Sequence, residues 1–421
     1  MRILHTSDWH LGQYFMGKSR QSEHEALIAW LVDQTRTLEI DAVLLAGDVF
    51  DTGAPPSYAR ELYNRLIVAL RDAGVSLIIL AGNHDSVATM QESRDLLACL
   101  NTIVIPSVED DLSRQVHVLA DRNGVPGAIV CAIPFIRPRD VVQSVAGQSA
   151  QDKQLSLQDA IRAHYDSVFA LALQKREALG LPLPIVATGH LTTVGASASE
   201  SVREIYVGSL EAFPTAAFPP ADYIALGHIH RPQKVGGFDH IRYCGSPIVL
   251  GFDEARQQKE MLVVELADGA LKSVTPLPVP SFQPLVSIRG TLEALAPQFV
   301  AVAAEARDGQ SVWLEVVVAQ DDYLSDLQTR IDALTDGLPV EVLRIRRDRG
   351  TVSASMRGEA KETLDELSPD DVFARRLDAE TLDVPVREQV TSLYRAVVAE
   401  IRGGDAIEKT DTETAAGASH A

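Results

Sequence analysis

Five short clusters in this 421-residue chain carry side chains that can ligate divalent metal ions. They are Asp8-Trp9-His10, Gly47-Asp48-Val49-Phe50-Asp51, Gly82-Asn83-His84-Asp85, Gly189-His190 and Gly227-His228-Ile229-His230. Carboxylate, imidazole and amide oxygen suit borderline or hard divalent cations, and none of the clusters offers a thiolate. One aspartate can bridge two ions roughly 3.5–4 Å apart, and such a pair activates a water near neutral pH and clamps the oxygens of an in-line displacement at phosphorus. Each cluster alone is weak evidence. Asp-x-His is common, a lone buried histidine is usually a satisfied core residue, and Asn or Asp after a strand is ordinary turn chemistry. Their joint occurrence in this order points to metal-dependent phosphoester chemistry.

All five clusters fall where an apolar strand-like run ends. Residues 3–7, 42–46, 76–81, 128–133, 185–188 and 223–226 read as buried strands, and helical periodicity fills 23–38, 57–71 and 155–178. Such alternation predicts a layered α/β domain, and the C-terminal edges of its strands converge on one crevice where distant residues can meet. Residues 261–266 and 271–277 follow one another without a helix, so part of the sheet is expected to be antiparallel.

Pro276, Pro278, Pro280 and Pro284 mark a boundary. The expected domains are 1–280, a small α/β cap over 285–347, a helical docking segment over 367–403 and a disordered tail over 404–421. Ser368, Pro369 and Asp371 form an N-terminal helix signature. A following helix places Val386, Val390, Leu393, Tyr394, Val397, Val398 and Ile401 on one face before Gly403-Gly404. That stripe either folds back on the chain or docks on a partner.

The motifs resemble those of the calcineurin-like metallophosphoesterases over residues 8–230. Within that family, Asp8-Trp9-His10-Leu11-Gly12, Gly189-His190-Leu191-Thr192-Thr193-Val194-Gly195 and the capped C-terminal helices are similar to the nuclease subunits of double-strand-break repair complexes. The resemblance implies a four-layer α/β sandwich. It gives Asp8, His10 and His230 to a first metal, Asn83, His190 and His228 to a second, and Asp48 to both. It leaves His84 off the metals, facing the substrate phosphate to stabilise or protonate the leaving oxygen, with Asp85 orienting it. It further implies manganese, and a homodimer bound to an SMC-like ATPase that cuts duplex DNA ends and hairpins. Archaeal relatives carry histidine at the position of Asp51, which points Asp51 to a supporting or turn role. The same fold also serves phosphoprotein phosphatases and cyclic-nucleotide phosphodiesterases; the cap and docking helices argue against both, because a small substrate needs neither.

A homodimer has one independent hint. Residues 57–71 carry Leu62, Leu66 and Ala69 on one face with Tyr63, Ile67 and Leu70 beside it, a wide stripe that suits either a dimer contact or a helix buried on two sides. One motif competes for another class of function. Gly12-Gln13-Tyr14-Phe15-Met16-Gly17-Lys18-Ser19 matches the P-loop pattern of an NTPase. Asp8-Trp9-His10-Leu11 intervene between strand and first glycine, and Tyr-Phe-Met is a poor phosphate cradle, so the motif is set aside. Exposed Tyr14, Phe15, Lys18 and Arg20 could instead touch DNA by stacking and charge.

The formal net charge is −20, which opposes binding of a polyanion. Residues 359–421 hold 15 acids and 7 bases, and several other carboxylates are candidate metal ligands. A chain this acidic is expected to need metals or a partner to grip DNA. The three cysteines are scattered, no apolar run approaches the roughly 20 residues of a membrane span, and the N-terminal residues reach Asp8 too soon for a signal peptide. The expected compartment is the cytoplasm.

Overall fold

A computed structural model describes residues 1–142, 149–199, 201–202, 212–307, 309–319 and 326–348, with Leu377, Val390, Thr391 and Tyr394. Residues 350–366, the expected tail over 404–421 and all but single positions of the docking helices lie outside the described residues. Residues 1–348 form one compact unit.

In chain order the strands begin with β1 (Arg2–Thr6), β2 (Tyr14–Phe15), β3 (Lys18–Ser19), β4 (Ala42–Ala46), β5 (Ser76–Leu80) and β6 (Thr102–Ile105). Then come β7 (Val116–Ala120), β8 (Pro126–Cys131), β9 (Ile185–His190), β10 (Tyr223–Gly227), β11 (Gln233–Val235) and β12 (Phe238–Tyr243). The last are β13 (Glu260–Ala267), β14 (Ala270–Pro278), β15 (Leu285–Gly290), β16 (Val312–Ala319) and β17 (Val340–Asp348). The helices are α1 (Gln21–Thr37), α2 (Ser57–Asp72), α3 (Val87–Gln91), α4 (Arg94–Ala98), α5 (Pro138–Val141), α6 (Ala150–Leu179), α7 (Leu292–Ala303) and α8 (Leu327–Thr335).

Two six-stranded sheets, β14-β13-β1-β4-β5-β6 and β11-β12-β10-β9-β8-β7, are the inner layers. Their central strands are parallel, and β13 and β14 close the first sheet antiparallel, as the helix-free run of sequence predicts. Every residue of β4 and β10 is buried, the pattern of strands covered on both faces. One core joins the sheets through side chains such as Ile3, Leu44, Ile78, Val130, Val186 and Tyr223. Each aliphatic side chain buried there contributes roughly 1.5–3 kcal/mol. Helices α1 and α2 cover the first sheet, and α6 covers the second. The result is the expected α/β/β/α sandwich.

Local sequence explains the helix ends. Ser149 and Asp152 form a reciprocal capping box at the start of α6, and Gly180 stops it in the left-handed conformation at φ +62°. The wide stripe of α2 is spent inside the chain, since Leu62, Tyr63, Leu66, Ile67 and Leu70 are all buried in the core shared with α1 and the first sheet. The hint of a dimer drawn from that stripe therefore loses its support. Residues 285–348 add a parallel three-stranded sheet, β15-β16-β17, crossed over by α7 and α8 around its own core. Phe15, Phe252, Leu285 and Trp313 pack together between this sheet and the sandwich.

Candidate metal centre

The parallel strands β1, β4, β5, β9 and β10 all end at one edge, and each releases a motif there. Immediately past these ends the backbone is strained. Asp8 (φ 55°), His10 (φ 49°), Asp48 (φ 49°) and His228 (φ 94°) all occupy left-handed conformations that L-residues avoid. Such strain costs about 1–3 kcal/mol per residue and clusters where function demands it. The glycines of the motifs are steric necessities. A Cβ on Gly47 (φ +92°) would lie 2.2 Å from His190 Nδ1, and one on Gly82 would lie 2.2 Å from Asp48 Oδ1.

The two sheets are stapled at this edge. His190 Nδ1 donates to the carbonyl of Ala46 at 2.9 Å, and the backbone N–H of His228 donates to Asp8 Oδ1 at 2.9 Å. A carbonyl only accepts, so His190 carries its proton on Nδ1 and turns Nε2 inward. That Nε2 lies 3.0 Å from Asn83 Oδ1 and 3.2 Å from Asp48 Oδ2. Asn83 Oδ1 is also 3.2 Å from His228 Nδ1. On the other side, Asp48 Oδ2 is 3.8 Å from His10 Nε2, and Asp8, His10 and His230 bring ligand atoms within 4.8 Å of one another. Asp48, His190 and His228 do the same. Asp48 thus sits between two clusters.

The donor set fits divalent metal ions. Nε2 of His10 and Nε2 of His228 are buried without a hydrogen-bond partner, a costly arrangement for imidazole unless something else takes the lone pair. The electrostatics are those of a cation site occupied by protons. Burial opposes charge on His190, but Asp48 overcomes it and raises the imidazole to about 9. Burial likewise opposes ionisation of Asp48, yet His190 and His10 hold its carboxyl well below the usual range. Burial, reinforced by the charge on His190, drives His228 down to about 3.

His84 stands beside this centre, its ring 4.7 Å from that of His10 and at right angles to it. Its backbone N–H donates to Asp48 Oδ1 at 2.9 Å, and its Nδ1 donates to the backbone carbonyl of Asp51 at 2.7 Å. Sequence reasoning gave the orientation of this ring to Asp85, and the geometry corrects that. The Asp85 carboxylate accepts backbone N–H bonds from Gly82 (2.8 Å), Phe50 (2.9 Å) and Val49 (3.1 Å), so it ties the two ligand loops together. Asp51 does more than turn the chain, because its carboxylate lies 3.2 Å from His10 Nδ1.

The segment that mimics a P-loop is a hairpin of β2 and β3, with Met16 (φ 50°) and Gly17 (φ +82°) at its tip. Lys18 is ion-paired with Glu341 of the small sheet. Tyr14 is exposed, as expected of a surface contact, but Phe15 and Arg20 are buried. Arg20 is spent on Glu23, Gln13 and the carbonyl of Val249. Sequence reasoning also missed several supports of the site. Tyr165 holds the end of β9 by a bond to the Thr188 carbonyl (2.9 Å), and Tyr243 holds the next turn at the Leu191 carbonyl (2.6 Å). Among the described residues no helix is long and apolar enough to cross a membrane.

Comparison with known proteins agrees with this geometry. The calcineurin-like phosphoesterase family model matches residues 1–232, and a second, described as a type 5 capsule protein repressor C-terminal domain, matches residues 281–381. The chain is 49% identical over 403 residues to the D component of nuclease SbcCD from Escherichia coli K12, covering 96% of this chain and 99% of that one. It is 31% identical to the protein of the same name from Rhodobacter capsulatus, over 89% of this chain and 94% of that one. The Bacillus subtilis counterpart is 29% identical over 77% and 81%.

Proposed function

We propose a function from one premise: the chain belongs to the calcineurin-like phosphoesterase family, within its SbcD nuclease branch. It is a metal-dependent nuclease component of an SbcCD complex, and we infer that it hydrolyses DNA phosphodiester bonds at duplex ends and hairpins together with an SbcC-type ATPase. The observation that carries the two-metal reading is the position of Asp48, 3.2 Å from the imidazole of one cluster and 3.8 Å from that of the other.

In this proposal Asp8, His10 and His230 hold the first ion, Asn83, His190 and His228 the second, and Asp48 both. Manganese is the proposed metal. Bound there, the pair supplies an activated water and polarises the phosphoryl oxygens. The chain's own residues do the rest. His84 commits Nδ1 to a backbone carbonyl, so Nε2 is the nitrogen that turns to substrate. From there it would stabilise or protonate the leaving oxygen. The Asp51 backbone carbonyl holds that ring, and Asp85 keeps the loops of Asp48 and Asn83 in register. Residues 1–280 form the nuclease domain, 285–347 the cap, and 367–403 the segment that docks the ATPase, with 404–421 a tail. The working assembly is a homodimer within a heterotetramer in the cytoplasm. The metal charges and the partner offset the acidity that would otherwise repel DNA.

The test is digestion of end-labelled hairpin DNA with manganese, with and without the ATPase. Cleavage should require manganese in both cases and ATP only in the complex. Failure of the complex to cut DNA while the isolated chain strips phosphate from proteins or opens cyclic nucleotides would overturn the proposal.

A further inference from the structure

Behind His230 lies a buried polar cluster that the ligand set does not use. Glu254, in the short turn Phe252–Glu254, is 0% exposed. Its Oε1 accepts the hydroxyls of Ser199 and Ser201, both at 2.6 Å, and lies 3.4 Å from His230 Nδ1. Its Oε2 accepts Lys259 Nζ at 2.7 Å and the backbone N–H of Leu250 at 3.0 Å. Lys259, also buried, donates to the backbone carbonyl of His230 at 3.0 Å. Ser201 Oγ is 2.8 Å from His230 Nδ1. One ion pair therefore reaches both the ring and the main chain of the same histidine.

The proton count fixes a direction. A carboxylate paired with lysine only accepts, so the single hydroxyl proton of Ser201 goes to Glu254. The Ser201 oxygen is then the acceptor, and His230 Nδ1 must be the donor. That leaves the lone pair of His230 on Nε2, the tautomer a metal ligand needs, with the ring held by a carboxylate through one hydroxyl. Ser201 and Glu254 are far apart in sequence and meet only at this ring. A carboxylate whose role was solely to secure the turn at Leu250 would need neither serine.

We propose that Glu254, acting through Ser201, is a positioning residue for the first metal, fixing His230 as the Nδ1–H tautomer. This rests on the reading that His230 ligates that ion. Outer partners of metal-bound histidines typically contribute about 10–100-fold to metal affinity. Ser201→Ala is the discriminating variant, because it cuts the relay and leaves the bonds from Glu254 to Lys259 and Leu250 in place.

The experiment is calorimetric titration of manganese into the full chain, with thermal melting of the metal-free proteins alongside. His230→Ala should abolish binding of one ion. Ser201→Ala should weaken one ion at least tenfold and leave the other unchanged at a near-parental melting temperature. Ser201→Thr, which restores the hydroxyl, should recover the affinity, and Glu254→Gln should weaken the same ion as Ser201→Ala. If His230→Ala loses an ion while Ser201→Ala binds both like the parent, the relay is wrong and the ligand reading stands. Retention of both ions by His230→Ala refutes the ligand reading, and the relay with it. Equal weakening of both ions in Ser201→Ala, or no recovery with threonine, makes the cluster merely structural and overturns the proposal.

Discussion

Metal binding should expel a proton from His190, and the affinity of the second ion should therefore climb with pH. In the metal-free chain, burial opposes the charge on His190, but Asp48 Oδ2 at 3.2 Å raises the imidazole to about 9. At pH 7.5 the ring is almost wholly protonated, and stripping the proton costs about 2 kcal/mol, or roughly 30-fold in apparent affinity. His228, held at about 3, is already neutral and adds no proton. The second ion should bind about tenfold tighter per pH step, hence roughly 100-fold tighter at pH 8.5 than at pH 6.5. Calorimetry at one pH in two buffers of different ionisation heat counts the proton directly. The same pair governs the stability of the metal-free fold. His190 is raised on folding, so its contribution is full below pH 6.5 and lost as pH rises through about 9. A rise from 6.5 to 9 corresponds to about 3 kcal/mol. Melting in chelator should fall over that window, while metal-loaded protein should not follow. An affinity flat from pH 6.5 to 8.5, with no buffer-dependent heat, would refute the reasoning.

Other outcomes follow from single contacts. His84→Ala should lower cleavage by about 10²–10⁴-fold yet keep both ions, as metal analysis of the purified variant would show; loss of an ion would make His84 a ligand. Gly47→Ala forces a Cβ to 2.2 Å from His190 Nδ1 at φ +92°, so urea denaturation should report a loss of about 2–5 kcal/mol, and less than 1 would contradict the geometry. The isolated chain should bind no ATP in a calorimetric titration, and Lys18→Ala, which breaks only a half-exposed ion pair with Glu341, should cost at most about 1 kcal/mol. Truncation after Gly358 should leave a folded, metal-binding nuclease that no longer co-purifies with the SbcC-type ATPase.

The candidate site was legible because its proposed ligands sit where apolar runs stop, so β1, β4, β5, β9 and β10 announce both the sandwich and the edge at which those residues gather. Glycine directly before Asp48, Asn83, His190 and His228 carries the same message, since a side chain at Gly47 or Gly82 would collide with His190 or Asp48. What stayed hidden has no local periodicity. Two-residue strands such as β2 and β3 are too short to alternate, so the P-loop match could be set aside but the hairpin that replaces it could not be read. Arg20 looks exposed in sequence, and only the fold brings Glu23, Gln13 and Val249 around it. The start of α6 was readable but missed, because Ser149 and Asp152 cap it before the apolar spacing begins. Ser201 and Glu254 belong to neither a motif nor a stripe, and their partnership exists only in three dimensions.

The stapling of two sheets at one edge also sets a timetable for the ribosome. Both proposed ions need residues up to His228 or His230. At about 5–20 residues per second, that point follows synthesis of Asp8 by roughly 10–45 s. The wait is longer for the first sheet, whose strand β1 stays an open edge until β13 arrives to pair with it. A nascent chain shorter than 228 residues lacks a member of each proposed ligand set, and a translation product that stops there carries no complete centre. An unfinished copy of this protein therefore lacks residues that the proposed two-metal site needs.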